Sequence, residues 1–201
     1  MEDGSQFIAS FTERPVSAKR TQCAEPRLVG SGRGQSAWTG SLDPPANAMV
    51  SETVTHSPEQ TLATGRQLAS EFHPPCLVIL EGELGSGKTT LAKGIVAGLG
   101  AAREEAVSSP TFTLVHEYGN ATKVYHVDLY RIEDAGDLAT LGLEEIMNEK
   151  AVVLVEWGER FAKILPVPDF HIKLEHLGLE DRRITVQAAK SASSRPVAAL
   201  E

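Results

Sequence analysis

The sequence predicts an α/β protein with three layers and a mixed, partly antiparallel central sheet. Residues 76–80 and 151–155 form two short, wholly apolar runs, which are typical of strands that are buried on both faces of a sheet. A glycine-rich segment, residues 82–89, follows the first run and precedes a helical pattern. The third observation is a pair of β-rich runs joined by Gly119 and Asn120, which indicates a hairpin and therefore antiparallel pairing.

The remaining elements continue this alternation of strand and helix signals. Ser57 is predicted to cap a helix, because Pro58 suits the first helical position and an acidic residue lies in the first turn. Gly142 marks an irregularity within a later helical pattern. In chain order, the predicted elements are a helix from residue 57 to before His73, the strand 76–80, a helix over 89–99, the hairpin runs 112–118 and 122–130, a helix over 134–147, the strand 151–155, and two outer strands over 170–177 and 183–187.

Composition divides the chain into three parts. Residues 1–50 contain six Ser, five Gly and four Pro, so we predict a disordered N-terminal extension there. A folded domain is predicted over residues 51–187, and a flexible C-terminal tail over residues 188–201. Met49 lies just before the first periodic pattern, which makes it a candidate for the true start of translation.

Charge and hydrophobicity exclude several classes of protein. The chain has 41% hydrophobic residues but no apolar run long enough to cross a bilayer, so no membrane-spanning helix is expected. Residues 1–50 carry as many acidic as basic side chains, which leaves 22 acidic and 14 basic side chains in the rest of the chain. Such a domain is a poor nucleic-acid binder, so any link to RNA is expected to run through a protein partner. Cys23 and Cys76 are far apart and are predicted to be free thiols, with Cys76 buried, in a cytoplasmic protein.

The glycine-rich segment GELGSGKT has the spacing G-x-x-x-x-G-K-[ST] of a phosphate-binding loop. Its glycines allow the backbone to curl around phosphate oxygens, and the following helix directs its positive end at the anion. Lys88 would place a cation on the β- and γ-phosphates, and the Thr89 hydroxyl is a hard oxygen ligand for Mg²⁺. We therefore predict a P-loop NTPase fold that binds ATP and Mg²⁺. The predicted ATP-binding residues in and after this loop are Gly82, Glu83, Leu84, Gly85, Ser86, Gly87, Lys88, Thr89 and Thr90.

Two carboxylates are candidates for the catalytic and metal-binding acids that such a loop requires. Glu156 directly follows the run 151–155, so it is expected at the carboxyl edge of the sheet, where ligands bind in α/β folds. The alternative for Glu156 is an ordinary exposed strand end. Asp128 lies inside a β-rich run, where aspartate is rare, and its alternative is an ion pair with Arg131. The pattern leaves open which acid holds Mg²⁺ and which orients water.

Three further residues have two interpretations each, and a fourth, Arg160, has one. Thr111 follows Ser-Ser-Pro and is either a switch residue for the γ-phosphate or its metal, or part of a plain turn. His126 either assists proton transfer or has a structural role. Trp157 either stacks near the nucleotide or fills the core. Arg160 is predicted to be a solvated surface charge.

Four motifs, in this order, carry a resemblance to a known family: LEGELGSGKTTLAKG, SSPTFTLVHEY, YHVDLYR and VVLVEWGER. They closely resemble the TsaE (YjeE) family, the bacterial ATPases of tRNA threonylcarbamoyladenosine biosynthesis. The match covers about residues 57–187, and the S-P-T-F, H-x-D-L-Y-R and V-E-W motifs are far more specific than the phosphate-binding loop. The N-terminal extension has no counterpart in the family pattern.

The resemblance implies a function for the P-loop ATPase domain, residues 51–187. Family members are weak ATPases alone and act with two partners, TsaB and TsaD, which place a threonylcarbamoyl group on N6 of adenosine 37 of tRNA. TsaE docks on the TsaB–TsaD complex, and its ATP hydrolysis resets that complex between turnovers without performing the transfer itself. The resemblance thus implies a cytoplasmic Mg-dependent ATPase that meets tRNA only through its partners and binds no membrane.

The resemblance also assigns roles by motif position, and these agree with the candidates above. Lys88 becomes the phosphate lysine, Thr89 the magnesium hydroxyl and Thr111 a switch residue. Asp128 and Glu156 match the two functional acids of the family, with Glu156 in the Walker-B-like position. The implied catalytic residues are therefore Asp128, Glu156 and Lys88, and the implied metal ligands are Thr89, Glu156 and Asp128.

Three more positions follow from the resemblance alone. Trp157 is expected beside the nucleotide site, and Thr61 in the first helix is expected near the nucleotide base. Gly158 stands where proline often follows the tryptophan in the family, and this change removes no chemical group.

Two other functions compete with hydrolysis of ATP by water. A small-molecule P-loop kinase would transfer the phosphate to a metabolite, but such enzymes usually carry an arginine-rich lid, and residues 134–150 contain no arginine. A nucleotide-gated binding module would hydrolyse nothing, but the presence of both Asp128 and Glu156 argues against it. Slow turnover of the free chain is expected, because no arginine finger is evident in the sequence.

Overall fold

A computed structural model describes residues 49–189, which form one seven-stranded sheet with helices on both faces. The strands are β1 (Met49–Thr55), β2 (Cys76–Glu81), β3 (Val115–Tyr118), β4 (Lys123–Asp128), β5 (Ala151–Glu156), β6 (Phe170–His176) and β7 (Arg182–Ala188). The α-helices are α1 (Pro58–Leu68), α2 (Lys88–Gly98), α3 (Ala135–Ala139) and α4 (Leu143–Met147), and 3₁₀ turns cover Ala69–Glu71, Glu104–Ala106 and Gly158–Phe161.

The folded domain is slightly longer than the predicted range 51–187, because β1 begins at Met49 and β7 ends at Ala188. The extension and tail predicted on either side otherwise lie outside the described residues. The proposal that translation starts at Met49 stays a prediction.

The strand order is β1-β7-β6-β2-β5-β4-β3. The four central strands, β6, β2, β5 and β4, pair in parallel, whereas β3 pairs antiparallel with β4, and β7 pairs antiparallel with both β6 and β1. The prediction of a mixed, partly antiparallel sheet is therefore confirmed. The carboxyl ends of β2, β4 and β5 meet at one edge, where the glycine-rich loop and both candidate acids lie.

Two apolar layers cover the two faces of the sheet. Along β2, Val78 and Leu80 belong to the layer that contains α1 and α2, whereas Leu77 and Ile79 belong to the layer that contains α3 and α4. Burial on both faces explains why this strand is apolar at every position, and it confirms the three-layer prediction. Cys76 is buried as predicted; burial raises the pKa of its thiol to about 12, and the nearby Asp169 carboxylate adds to this effect.

Most predicted elements are present, with two informative differences. The run 112–118 is a strand only from Val115, because residues before it form a turn in which Leu114 has a positive φ of 67°. The hairpin itself is confirmed. The helical pattern over 134–147 forms two short helices, α3 and α4, and Gly142, with φ 64°, lies between them at the predicted irregularity.

Strand β1 was missed by the sequence analysis. Its two valines, Val50 and Val54, are exposed, whereas its buried position is the polar Thr55. The alternation therefore lacks the inward apolar residues that identify a strand, and β1 is held at the sheet edge by its ladder with β7.

Candidate functional site

The glycine-rich loop connects β2 to α2 and holds three glycines at positive φ. Gly82, Gly85 and Gly87 have φ values of 152°, 79° and 101°, which other residues adopt at a cost. A Cβ on Gly82 would also lie 2.5 Å from the Leu174 carbonyl oxygen. Helix α2 begins at Lys88 without a side-chain cap, so the N–H groups of its first turn remain available for an anion.

Lys88 is buried beneath this loop. Its Nζ donates to the carbonyl oxygens of Gly82 at 2.7 Å and Glu83 at 2.9 Å, and it lies 4.0 Å from the centroid of the Trp157 ring. Burial lowers the pKa of Lys88, while the carboxylates of Glu156, Glu159 and Asp128 oppose the shift. The ammonium group is thus held at the loop by groups that a phosphate could replace.

Glu156 ends β5 and is buried against the start of α2. Its Oε1 accepts hydrogen bonds from Thr89 Oγ1 at 2.8 Å and from His126 Nε2 at 2.8 Å. The parallel register of β4 and β5 places Asp128 directly beside Glu156. The alternative of an exposed strand end is therefore excluded for Glu156.

Asp128 contacts residues 108–112, the predicted switch segment that contains Thr111. Its Oδ2 accepts a hydrogen bond from Thr111 Oγ1 at 2.5 Å and a longer one from Ser109 Oγ at 3.4 Å. Its Oδ1 accepts from the Tyr130 backbone N–H at 2.9 Å. The alternative ion pair is not formed, because the Arg131 guanidinium lies over the Phe112 ring instead, 4.9 Å from its centroid.

These residues surround one cavity of about 270 Å³. Two of its lining residues, Ser109 and Tyr130, were not identified from the sequence. The other lining residues were all predicted as site residues: Leu84, Gly85, Gly87, Lys88, Thr89, Thr90, Thr111, Asp128, Glu156 and Trp157. Sequence analysis thus named most of one continuous site from four separate segments of the chain.

A second cavity, of about 230 Å³, shares Gly85, Gly87 and Thr90 with the first and extends to α1 and the β6–β7 connection. Thr61 lines it, and its place near the nucleotide base stays a prediction. The Thr61 hydroxyl is buried and lies 2.8 Å from Thr55 Oγ1, so its polar group is already occupied.

Three predicted loop residues line neither cavity with their side chains. Glu83 is exposed, and Gly82 lies with it beside a third cavity, on the β6 side of the loop. Ser86 is fully buried, and its carbonyl oxygen accepts a hydrogen bond from Arg182 Nε at 3.1 Å.

Two residues after β5 make contacts that the sequence did not predict. Trp157 adopts a positive φ of 64°, and its ring lies 5.2 Å from the Tyr130 ring. Arg160 is exposed, as predicted for a surface charge. Its guanidinium also donates to the carbonyl oxygens of Leu129 at 3.2 Å and Tyr130 at 2.8 Å. Arg160 thereby links the turn after β5 to the segment after Asp128.

The donor set suits a hard cation that is shared with phosphate oxygens. Within residues 49–189, no group of three His, Cys, Asp or Glu side chains could hold a metal ion by itself. The cavity does contain the Thr89 hydroxyl and the carboxylates of Asp128 and Glu156. Mg²⁺ is commonly bound in this way, through one or two protein oxygens, water and the phosphates of a substrate.

Across the described range 49–189, no helix is both long enough and apolar enough to cross a membrane.

Comparisons with known proteins agree on one family. The family model "Threonylcarbamoyl adenosine biosynthesis protein TsaE" matches residues 55–184. The chain is 40% identical over 135 residues to the tRNA threonylcarbamoyladenosine biosynthesis protein TsaE of Bacillus subtilis (strain 168). That alignment covers 67% of this chain and 83% of the relative. The chain is 36% identical over 133 residues to the protein of the same name in Treponema pallidum (strain Nichols), which covers 66% of this chain and 97% of the relative.

A solved structure supports the same conclusion about the fold. The crystal structure of YdiB from Bacillus subtilis superimposes with a TM-score of 0.60 at 32% identity, and the match covers 73% of this chain and 90% of that one.

Proposed function

Because the chain belongs to the threonylcarbamoyl adenosine biosynthesis protein TsaE family, which works in tRNA threonylcarbamoyladenosine biosynthesis, we propose that it is a Mg²⁺-dependent ATPase that supports this modification through the TsaB–TsaD complex. Family membership confirms the resemblance drawn from the four sequence motifs. The observation that carries the ATPase proposal is the convergence of Lys88, Thr89, Asp128 and Glu156 on one cavity at the glycine-rich loop.

ATP binds with its phosphates over the glycine-rich loop. Backbone N–H groups of the loop and of the first turn of α2 donate to the phosphate oxygens. Lys88 exchanges the carbonyl oxygens of Gly82 and Glu83 for phosphate oxygens, while the Trp157 ring keeps its ammonium group in place. Mg²⁺, when bound, supplies the positive charge that offsets the negative charge of the phosphates.

The two acids take different parts in the reaction. Thr89 donates its hydroxyl proton to Glu156, and this pair would hold Mg²⁺ at the start of α2. Asp128 accepts the Thr111 hydroxyl from the switch segment and would orient the water that attacks the γ-phosphate. Release of Thr111 from Asp128 would free both groups when the nucleotide binds.

An apolar rim around the site supports docking on a protein partner. Leu84 and Tyr130 line the first cavity and Leu179 the second, and all three are exposed large hydrophobic side chains. Phe112, in the switch segment, is 85% exposed. Large apolar patches that are exposed on a protein surface mark interaction sites. TsaB–TsaD docks here and either completes the site or gates product release.

The test is ATP hydrolysis by the purified chain, alone and with TsaB and TsaD. Slow hydrolysis alone, a changed rate with the partners, and loss of hydrolysis in Lys88→Ala and Glu156→Ala are the expected results. Hydrolysis that survives Glu156→Ala and does not respond to the partners would contradict the proposal.

The small-molecule kinase remains the competing function, and one structural observation weakens it. The acidic segment that would have to form a phosphate-binding lid instead forms α3 and α4, whose Leu138 and Leu143 are buried in the core. A screen for ADP formation with candidate metabolites distinguishes the two functions, because a kinase would respond to an acceptor and the proposed ATPase would not.

A further inference from the structure

His126 lies directly behind one of the proposed functional acids. It is fully buried in β4, and its Nε2 is 2.8 Å from Oε1 of Glu156, whose side chain is 4% exposed. The reaction proposed above uses Glu156 but assigns no part to this histidine. The sequence alone left open whether His126 has a chemical or a structural role.

The hydrogen bonds of Glu156 are unevenly divided between its two oxygens. Thr89 Oγ1 and His126 Nε2 both meet Oε1, each at 2.8 Å. No side chain or backbone group in the described part of the chain donates to Oε2, and Glu156 lines the nucleotide cavity. An ionised carboxylate only accepts hydrogen bonds, so Nε2 of His126 must carry the proton in this contact.

We propose that His126 is a positioning residue, which clamps Oε1 of Glu156 against Thr89 and so presents Oε2 to the cavity where Mg-ATP binds. This inference rests on the proposed function. With Oε1 held from two directions, the carboxylate cannot rotate, and the Thr89 hydroxyl keeps its orientation. His126 touches neither nucleotide nor metal in this arrangement and acts only through Glu156.

The other nitrogen of the ring supports a specific role for Nε2. Within residues 49–189, Nδ1 of His126 has no hydrogen-bond partner although it is buried. An unpaired buried polar atom is destabilising, and an apolar side chain of similar size would avoid it. A residue selected only to fill this space has no need of the imidazole, whereas a residue that must hold Oε1 does.

The experiment compares His126→Leu, which fills the space without a donor, with His126→Gln, whose amide N–H can replace Nε2–H. For each variant we would measure kcat and KM for ATP hydrolysis, and the Kd of a non-hydrolysable ATP analogue with and without Mg²⁺. His126→Leu should lower kcat by roughly 10- to 100-fold and weaken the Mg²⁺-dependent part of binding, as loss of an outer-shell partner does. Binding without Mg²⁺ should change little, and His126→Gln should recover most of the loss.

A matched control is available elsewhere in the sheet. His171 is also a buried histidine, and its Nε2 lies 2.7 Å from Glu81 Oε2 outside the cavity. His171→Leu should lower the melting temperature but leave kcat and the Mg²⁺ dependence unchanged. If His171→Leu has the same effect on kcat as His126→Leu, or if His126→Leu retains the parental kcat and Mg²⁺ dependence, the positioning role is wrong.

A double variant tests whether His126 acts through Glu156. In a Glu156→Gln background, His126→Leu should add little further loss of kcat or of Mg²⁺-dependent binding. Losses that multiply would show an independent role and would contradict the proposal.

Failure of the proposed ATPase function would be visible separately, as absence of hydrolysis by the parent chain. The clamp is then decided by ¹⁵N nuclear magnetic resonance of the histidine rings, which requires no turnover. His126 should carry its proton on Nε2, and that proton signal should move in Glu156→Ala. A proton on Nδ1, with Nε2 bare, would overturn the clamp whatever the activity.

Discussion

At the scale of single residues, the roles of Glu156 and Asp128 are distinguished by their hydrogen-bond partners. Glu156 accepts from Thr89 at the start of α2, whereas Asp128 accepts from Thr111 in the switch segment. We expect Glu156→Gln to remove most of the contribution of Mg²⁺ to nucleotide binding. Asp128→Asn should retain that contribution and lower kcat by at least about tenfold, the range of a single catalytic group.

Both variants are measured by calorimetric titration of an ATP analogue with and without Mg²⁺, and by steady-state hydrolysis. The amides keep the shape of the acids, so a fold defect would appear as a lowered melting temperature in the same samples. The reverse pattern, in which Asp128→Asn abolishes the effect of Mg²⁺, would exchange the two assignments.

Glu159 provides a prediction about stability and pH. Burial raises its pKa above the ordinary value of 4.5, and the charge of Glu81 raises it further, against opposing effects of its own backbone N–H, Lys88 and His171. Its Oε2 is buried without a partner among the described residues. The native state therefore binds this proton more strongly than the unfolded state does. The unfolding free energy therefore falls as the pH rises from 4.5 through the raised pKa, and the cost is fully present above that pKa.

Glu159→Gln removes that charge but leaves a polar amide in the same place, so it should raise the unfolding free energy at pH 7 through the loss of the charge alone. The gain should shrink as the pH is lowered below 4.5, because the parental carboxyl is then protonated in both states. Urea unfolding at pH 7 and pH 4 measures this. A gain that is equal at both pH values would show that the charge is not its cause.

The residue roles that the sequence could predict are those fixed by local chemistry. The loop glycines, Lys88 and Thr89 follow from a spacing that only phosphate binding requires, and Glu156 follows from its place after an apolar strand. The contacts of Arg160 with the Leu129 and Tyr130 carbonyl oxygens could not be predicted, since they depend on which strands become neighbours. The order of charged residues along the sequence does not indicate such a contact.

At the scale of elements, the crossing of α1 and α2 depends on glycines that lie inside helices. An added Cβ on Gly94 would lie 2.1 Å from the Leu62 carbonyl oxygen, and one on Gly65 would lie 2.4 Å from the Leu91 carbonyl oxygen. Both contacts are with backbone, which cannot move without separating the helices. A glycine in a helix normally costs about 1 kcal/mol relative to alanine, so this pair is retained for close approach.

We therefore expect Gly94→Ala to destabilise the protein by about 1–3 kcal/mol despite the higher helix propensity of alanine. Lys93→Ala, on the neighbouring position of α2, is the control and should change stability by less than about 0.5 kcal/mol. Urea unfolding at 25 °C measures both variants. A stabilised Gly94→Ala variant would mean that helix propensity outweighs the steric contact.

The elements that the sequence predicted correctly are those whose signals are internal to the element. The buried strands β2 and β5 read as continuous apolar runs, and Gly142 interrupts its helical pattern where α3 and α4 separate. Strand β1 has no such signal, because its identity comes from pairing with β7, more than a hundred residues later. An edge strand with its valines exposed cannot be recognised before its partner is known.

At the scale of the whole molecule, the site is a consequence of strand order. β2, β5 and β4 are neighbours in the sheet, so the glycine-rich loop, Glu156 and Asp128 meet at one edge although the chain separates them widely. Sequence analysis predicted that these segments share a site, and the parallel register explains why they must. The exposed apolar side chains around that edge are proposed to contact a second molecule.

Phe112 allows the proposed docking surface to be tested apart from the chemistry. It is 85% exposed, lies in the switch segment next to Thr111, and makes a contact with the Arg131 guanidinium. Phe112→Ser should leave hydrolysis by the free chain within about threefold of the parent, because the ring lines neither nucleotide cavity. It should weaken binding to TsaB–TsaD by about tenfold or more, the range of an exposed aromatic anchor.

Ile164→Ser is the matched control, since Ile164 is 54% exposed but lies away from the nucleotide cavities, beside α3 and α4. Affinity is measured by titrating TsaB–TsaD with each variant in the presence of Mg²⁺ and a non-hydrolysable ATP analogue. If Phe112→Ser weakens the complex and Ile164→Ser does not, the rim around the nucleotide site is the docking surface. If only Ile164→Ser weakens it, the partners bind the face formed by the short helices, and the rim around the nucleotide site is not the docking surface.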